Sequence, residues 1–230
     1  MNVKILMTDF LSLFFPPLCI NCEEPLLKKE GFFCLDCFLK LPKTNYHLIE
    51  ENLAVERFSG KIPLVRATSY FYYNKEGMAQ KAIAEIKYKG NQKLGRWLGS
   101  LLAKELSATD FFNGIDYIIP VPLHKSKQRK RGFNQAEEIA LGISSITNIP
   151  LCTENIYRKK DNISQTQKNV YDRWKNTKDI FEIKDIELFK EKHILIVDDV
   201  LTTGSTLESV GHCVLKSPDS KVSILTLAIA

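Results

Sequence analysis

Apolar residues in this chain fall into short unbroken runs that alternate with stretches of helical period. The run from His193 to Val197 is continuous and stops at two adjacent carboxylates, Asp198 and Asp199. A short β-rich run of this kind predicts a strand buried on both faces, as in a parallel sheet. The polar loop Thr202-Thr203-Gly204-Ser205-Thr206 follows, then the apolar-periodic stretch Leu207 to Leu215, so the pattern predicts strand, acidic edge, loop and helix. Upstream, Ala67 to Tyr73 predicts a strand and Asn74 to Gly77 a turn. Met78 to Tyr88 predicts a helix with Ala79, Ala82, Ile83 and Ile86 on one face, flanked by Lys87 and Lys89 before a stop at Gly90. A second helix is predicted over about Leu94 to Leu106, then a strand over Asp116 to Val121 that Pro120 and Pro122 interrupt. A helix begins near Asn134 and runs through Ile143, and Val222 to Ile229 is a final strand, inside or at the edge of the sheet. This alternation predicts an α/β fold with a parallel sheet flanked by helices.

Composition adds bounds. The 230 residues suffice for one sizeable α/β domain and a small appendage. We divide them into an N-terminal module, residues 1–50, and a main domain, residues 51–230, with Pro42 to Ser59 read as a polar linker. Hydrophobic content of 44% and charged content of 26% are ordinary for a globular protein. The net charge of +5 permits an anionic partner without requiring nucleic acid. No apolar run reaches membrane-spanning length. Ile5 to Leu18 is apolar but is interrupted by Asp9 and Pro16-Pro17 and lacks a small-residue cleavage site; it predicts a short amphipathic helix rather than a signal peptide, and a cytoplasmic protein.

The loop after the acidic pair carries the first chemistry. Backbone N–H groups of a small-residue loop that opens a helix form an anion site. Thr202, Thr203, Ser205 and Thr206 add hydroxyl donors, and Gly204 lets the backbone approach the anion. Asp198 and Asp199 repel a phosphate, so they suit neighbouring hydroxyls, such as a ribose diol, or a divalent cation. A phosphate at one end and a diol at the other describe a grip on ribose 5-phosphate. The plain alternative is an ordinary strand-to-helix turn.

A second chemical segment runs from Pro120 to Gln135. Five cationic residues, Lys125, Lys127, Arg129, Lys130 and Arg131, lie within seven positions in a predicted loop, and Asn134 and Gln135 open the next helix. Dense cations at a strand's carboxyl end suit a pyrophosphate. For the individual lysines a solvated basic loop is the competing reading.

Four of the six cysteines form two pairs, Cys19-x-x-Cys22 and Cys34-x-x-Cys37, separated by eleven residues. Two such knuckles can place four thiolates on one tetrahedral Zn²⁺, a closed structural site. Two disulfides or a redox pair are the alternatives, and the absence of a secretion signal disfavours disulfides. Cys152 and Cys213 read as small buried hydrophobes.

Val197 to Thr206 resembles the phosphoribosyl pyrophosphate (PRPP) signature of type I phosphoribosyltransferases. The resemblance implies that fold, with Asp198 and Asp199 on the ribose hydroxyls, Thr202 through Thr206 on the 5-phosphate, and Mg²⁺ accompanying PRPP. Val121 to His124, the basic stretch and Arg131 to Gln135 are similar to the ComF/GntX branch of these proteins. So are the four cysteines, Ile86-Lys87…Gly90, and Arg158…Gln165-Thr166…Arg173…Asn176…Phe181. Asn162 departs from that pattern, where a Thr is expected. Residues Arg158 to Asn176 read as a polar lid, from which Arg158, Lys159, Lys160 and Arg173 either reach the pyrophosphate or are exposed helix charges.

The resemblance implies a role in natural competence, where single-stranded DNA taken into the cytoplasm passes to recombination proteins. Two classes of function follow: a PRPP-binding protein of DNA uptake, or an active phosphoribosyltransferase with an unidentified acceptor. No segment reads as a nucleobase pocket, and no N-terminal nucleophilic Cys is available to release ammonia from glutamine. The gluconate-related reading that the GntX name suggests has no residue-level support.

Overall fold

A computed structural model describes residues 15–159 and 180–230. Ile5 to Phe14 of the expected amphipathic helix, and residues 160–179 of the expected lid, lie outside the described residues.

The elements, numbered here in chain order, are α1 (Leu35–Leu39), α2 (Leu53–Glu56), β1 (Arg66–Tyr72), α3 (Met78–Lys89), α4 (Gln92–Leu106), β2 (Tyr117–Pro120), α5 (Lys125–Arg131) and α6 (Gln135–Thr147). They continue with β3 (Ile156–Arg158), β4 (Phe181–Ile183), β5 (His193–Leu201), α7 (Ser205–Val214) and β6 (Lys221–Ile229). Four strands form a parallel sheet in the order β1-β6-β5-β2, and β3 and β4 form a separate antiparallel ribbon. The parallel sheet with flanking helices agrees with the sequence reading. Among the described residues no helix is long and apolar enough to cross a membrane.

The strands read as apolar runs because both faces are covered. Ile194, Leu195, Ile196 and Val197 of β5 are fully buried. Leu195 and Val197 pack with α3, α4 and α6, whereas Ile194 and Ile196 pack with α7. The last strand, β6, lies inside the sheet between β1 and β5. Its buried hydroxyls are matched across the sheet, Thr226 with Ser69 at 2.6 Å and Ser223 with His193 Nε2 at 2.9 Å.

Two expectations need correction. Pro42 to Ser59 is not a free linker: it packs on edge strand β1, where Thr44 N–H donates to the Tyr70 carbonyl and Tyr72 N–H to that of Pro42. The buried side chains Tyr46, Asn52, Ala54 and Phe58 were hidden by the segment's polar average. A covered edge of this kind offers no template for a foreign strand. The basic stretch is also not a loop but helix α5, capped at its start by the His124 ring, which accepts from Ser126 N–H, and ended at Gly132 with φ +83°. Lys, Arg and Gln are good helix formers, so charge density alone gave the wrong element.

Candidate functional site

The two chemical segments leave the same sheet edge side by side. Strand β2 ends where Pro120 pairs with Val197, and Val121 N–H donates to the Val197 carbonyl, one residue before Asp198. From this point α6 packs on one face and α7 on the other. Neighbouring strands whose following helices go to opposite faces leave a crevice at their carboxyl ends, where open α/β sheets bind ligands.

On the β5 side, Gly204 adopts φ +80° and precedes the first turn of α7. Residues with a Cβ rarely adopt this conformation. A Cβ here would also sit 3.0 Å from the Phe58 ring. Gly204 has no side chain to cap the helix, and of the leading N–H groups that of Ser205 makes a long contact with the Thr203 hydroxyl at 3.4 Å. Thr202, Thr203, Ser205 and Thr206 are exposed around it. With Asp198, Val200 and Leu207 they line an open hollow of about 40 Å³. Unsatisfied N–H groups and hydroxyls at a helix start can receive a phosphate.

The two carboxylates differ. Asp198 is half-buried, and desolvation together with the adjacent Asp199 pushes its carboxyl up to about 8, against the pull of Lys87. Asp198 Oδ1 also accepts from Asp199 N–H at 2.8 Å. Asp199 is buried, and its Oδ2 lies 2.9 Å from Lys87 Nζ. That approach lacks the angle of a hydrogen bond, so Oδ2 has a charged neighbour but no donor aligned with it. Lys87 comes from α3, whose Ala79, Ala82, Ile83 and Ile86 are buried as the periodicity predicted.

On the β2 side, Asn134 and Gln135 are both buried and work within the fold. Asn134 donates to the Val121 carbonyl at 3.0 Å and accepts from Ala136 N–H at 3.1 Å, tying β2 to the start of α6. Gln135 Oε1 accepts from Arg131 Nη1. Asn134 thus uses both ends of its amide within the fold, whereas Gln135 engages its oxygen, with Arg131. Lys127, Arg129 and Lys130 are exposed on α5; the side chain of Lys125 lies outside the described residues.

Of the four expected lid charges, two fall among the described residues. Arg158 and Lys159 belong to the β3–β4 ribbon, not to a helix: Arg158 stacks over Phe181, 5.7 Å from the ring centroid, and Lys159 pairs with Glu182 at 2.7 Å. Lys160, Asn162, Gln165, Thr166, Arg173 and Asn176 lie outside the described residues.

At the N-terminus, the sulfurs of Cys19, Cys22, Cys34 and Cys37 all lie within 4.8 Å of one another, with Cys22 and Cys34 3.7 Å apart. Zinc–sulfur bonds of about 2.3 Å put tetrahedral sulfurs about 3.8 Å apart, so the cluster fits one such ion. None of these cysteines is in a disulfide. Burial opposes ionisation of Cys19, but donors from the backbone of Cys22, Cys34 and Asn21 outweigh it and bring the thiol down to about 6. Asn21 Nδ2 donates to Cys37 Sγ, and Lys81 holds the Asn21 carbonyl. The module rests on α4: Phe32, Phe33 and Phe38 surround Trp97 with centroids 5.6, 6.1 and 6.2 Å away.

A larger cavity of about 630 Å³ lies at the other end of β1, between Tyr46–Asn52 and Thr109–Phe111. Glu50, Arg66 and Asp110 line it, and Arg66 Nη1 donates to the Asp110 and Phe111 carbonyls; the acidic pair, hydroxyl loop and helix start converge at the β5–β2 crevice instead, so chemistry rather than volume selects that crevice.

The sequence model described as "Phosphoribosyl transferase domain" matches residues 100–229. Competence protein F of Haemophilus influenzae is 30% identical over 152 residues, covering 64% of this chain and 66% of that protein. Competence protein ComFC of Bacillus subtilis is 26% identical over 210 residues, covering 91% and 82%. DNA utilization protein YhgH of Escherichia coli O157:H7 is 29% identical over 149 residues, covering 63% and 64%. The match thus spans just under two thirds of the Haemophilus and Escherichia proteins. Among solved structures, the glutamine PRPP amidotransferase of B. subtilis aligns over 58% of this chain and 26% of its own, at 18% identity and a TM-score of 0.42.

Proposed function

Since this chain belongs to the phosphoribosyl transferase domain family, we propose that its β5–β2 crevice binds PRPP together with Mg²⁺ in the service of DNA uptake. The observation that carries the reading is the meeting, at one sheet edge, of an acidic pair with an open helix start and a cationic helix. Asp198 and Asp199 accept from the ribose hydroxyls. The 5-phosphate sits against Thr202, Thr203, Gly204, Ser205 and Thr206 at the start of α7. Arg131, held by Gln135, together with Arg129 and Lys125, meets the Mg²⁺-pyrophosphate, and Asn134 fixes the strand-to-helix corner. Cys19, Cys22, Cys34 and Cys37 hold a structural Zn²⁺, supported by the tetrahedral spacing of four thiols. The names of the relatives, two competence proteins and a DNA utilization protein, support the DNA-uptake setting, and the same reading puts the protein in the cytoplasm.

Titration calorimetry with PRPP and Mg²⁺ tests the first part: the protein should bind, and Asp198→Asn combined with Asp199→Asn should abolish the heat. Equal binding by the double variant would remove the acidic pair from the site. Pyrophosphate release on adding candidate nucleobases distinguishes an active transferase from a binding protein. Single-stranded DNA binding, falling steeply between low and moderate salt, tests the DNA-uptake part.

A further inference from the structure

Lys87 lies outside residues 100–229, the part of the chain that the family's sequence model matches, yet it reaches the acidic pair. Three lysines of α3 differ in where they go. Lys81 turns to the Asn21 carbonyl, and Lys89 pairs with Glu85 one turn back on the helix surface. Lys87, only 23% exposed at its side chain, instead approaches the buried Oδ2 of Asp199. The helix is held so that it must do this. Ile83 and Ile86 are anchored in the core, and Gly90 ends the helix in the left-handed conformation directly after Lys89.

A buried carboxylate oxygen without an opposite charge is costly. Asp199 Oδ2 has no hydrogen-bond donor, and Lys87 Nζ is the cation the structure sets beside it. The contact occupies one oxygen of Asp199. We infer that Lys87 is a positioning residue of the ribose-phosphate site: by holding Asp199 Oδ2 it keeps the carboxylate turned so that its other oxygen is available to the ribose diol. The inference deepens the PRPP reading above and rests on it. It also means that the site is completed by a helix preceding the matched domain, so that residues 100–229 alone would carry a weakened site.

The test is Lys87→Met in the full chain, measured by calorimetry with Mg²⁺-PRPP, then by displacement of PRPP with ribose 5-phosphate and with pyrophosphate. A lost charge-assisted contact is expected to weaken PRPP by about tenfold or more. Because the effect passes through Asp199 to the diol, ribose 5-phosphate should weaken in parallel while pyrophosphate stays within about twofold of wild type. In an Asp199→Asn background the same substitution should add little, since its target is gone. Lys87→Arg, which keeps the cation, should recover most of the binding, and it serves the comparison with wild type if the Met variant does not fold. Wild-type affinity for PRPP in Lys87→Met, equal weakening of ribose 5-phosphate and pyrophosphate, or additive losses with Asp199→Asn would each overturn the inference while leaving the PRPP reading intact. A wild-type protein that fails to bind PRPP would overturn both.

Discussion

Gly99 of α4 and Gly142 of α6 meet across the helix pair with no room for a side chain on either. A Cβ on Gly99 would overlap the Ile139 carbonyl oxygen, and one on Gly142 would overlap that of Arg96 and lie 2.8 Å from Ser100 N. Backbone on both sides leaves nothing flexible to yield. The same interface carries the Arg96–Glu138 ion pair and the Ser100 hydroxyl donating to the Gly142 carbonyl. Gly142→Ala should therefore lower the urea midpoint by an amount worth about 3 kcal/mol or more, or prevent folding. Gly114→Ala, where a Cβ meets nothing but φ is +76°, should cost only about 1 kcal/mol. Similar midpoints for the two variants would contradict this packing.

Asn52 is the side chain that ties residues 42–58 to the sheet. Its amide nitrogen donates to the carbonyls of Tyr46 (3.2 Å), Ile49 (2.8 Å) and Ala67 (3.1 Å). Its oxygen accepts from Ala54 and Val55 N–H. Asn52→Ala should destabilise by about 3 kcal/mol, because several buried backbone groups lose their partner together. Asn52→Asp should do no better, as carbonyl oxygens would then face a carboxylate. Denaturant titration of both variants checks this, and an Asp variant near wild type would show the three donor contacts to be dispensable.

Metal at the four cysteines should be readable through Trp97. The chain has two tryptophans, and a Trp174→Phe background leaves Trp97 as the sole one. Elemental analysis should find one zinc per chain, and a strong chelator should shift Trp97 emission to the red as Phe32, Phe33 and Phe38 release it. Cys37→Ser should give the shifted emission without chelator. An unchanged spectrum in chelator, with zinc gone, would mean that the module holds its place on α4 unaided.

Asp198 should impose a pH dependence on the unliganded protein. Burial and Asp199 raise its carboxyl from the ordinary value of 3.8 to about 8 in the fold. The folded state thus favours the protonated form, so this group's stabilising contribution is complete below about pH 3.8 and is lost as pH rises towards about 8. Asp198→Asn removes the charge and should melt above wild type at pH 8, with the gap closing towards pH 4. Thermal scans across that range decide it, and parallel melting curves at every pH would show that the carboxylate ionises in the fold without cost.

How far the chain could be read from one dimension varied with the range of the forces involved. The buried run of β5, the periodic face of α3 and the left-handed stop at Gly90 follow from local pattern and conformational preference, and the structure bears them out. The segment 42–59 did not, because its burial comes from five side chains, Thr44, Tyr46, Asn52, Ala54 and Phe58, scattered along a mostly polar stretch. Helix α5 did not either: charge density points to a loop, whereas its residues are helix formers between a capping His124 and a terminating Gly132.

The candidate site divides in the same way. The acidic pair, hydroxyl loop, basic stretch and four cysteines were visible as residue types at set spacing, since ligand chemistry demands particular donors close together in sequence. That β2 and β5 are neighbours and that Lys87 reaches Asp199 across more than a hundred residues depend on which strands pair and which helix faces pack. Local propensity and hydrophobic period act over a few residues and determined the elements. The register of a sheet buried on both faces, and the close passage of two helices at Gly99 and Gly142, decided which of their side chains meet.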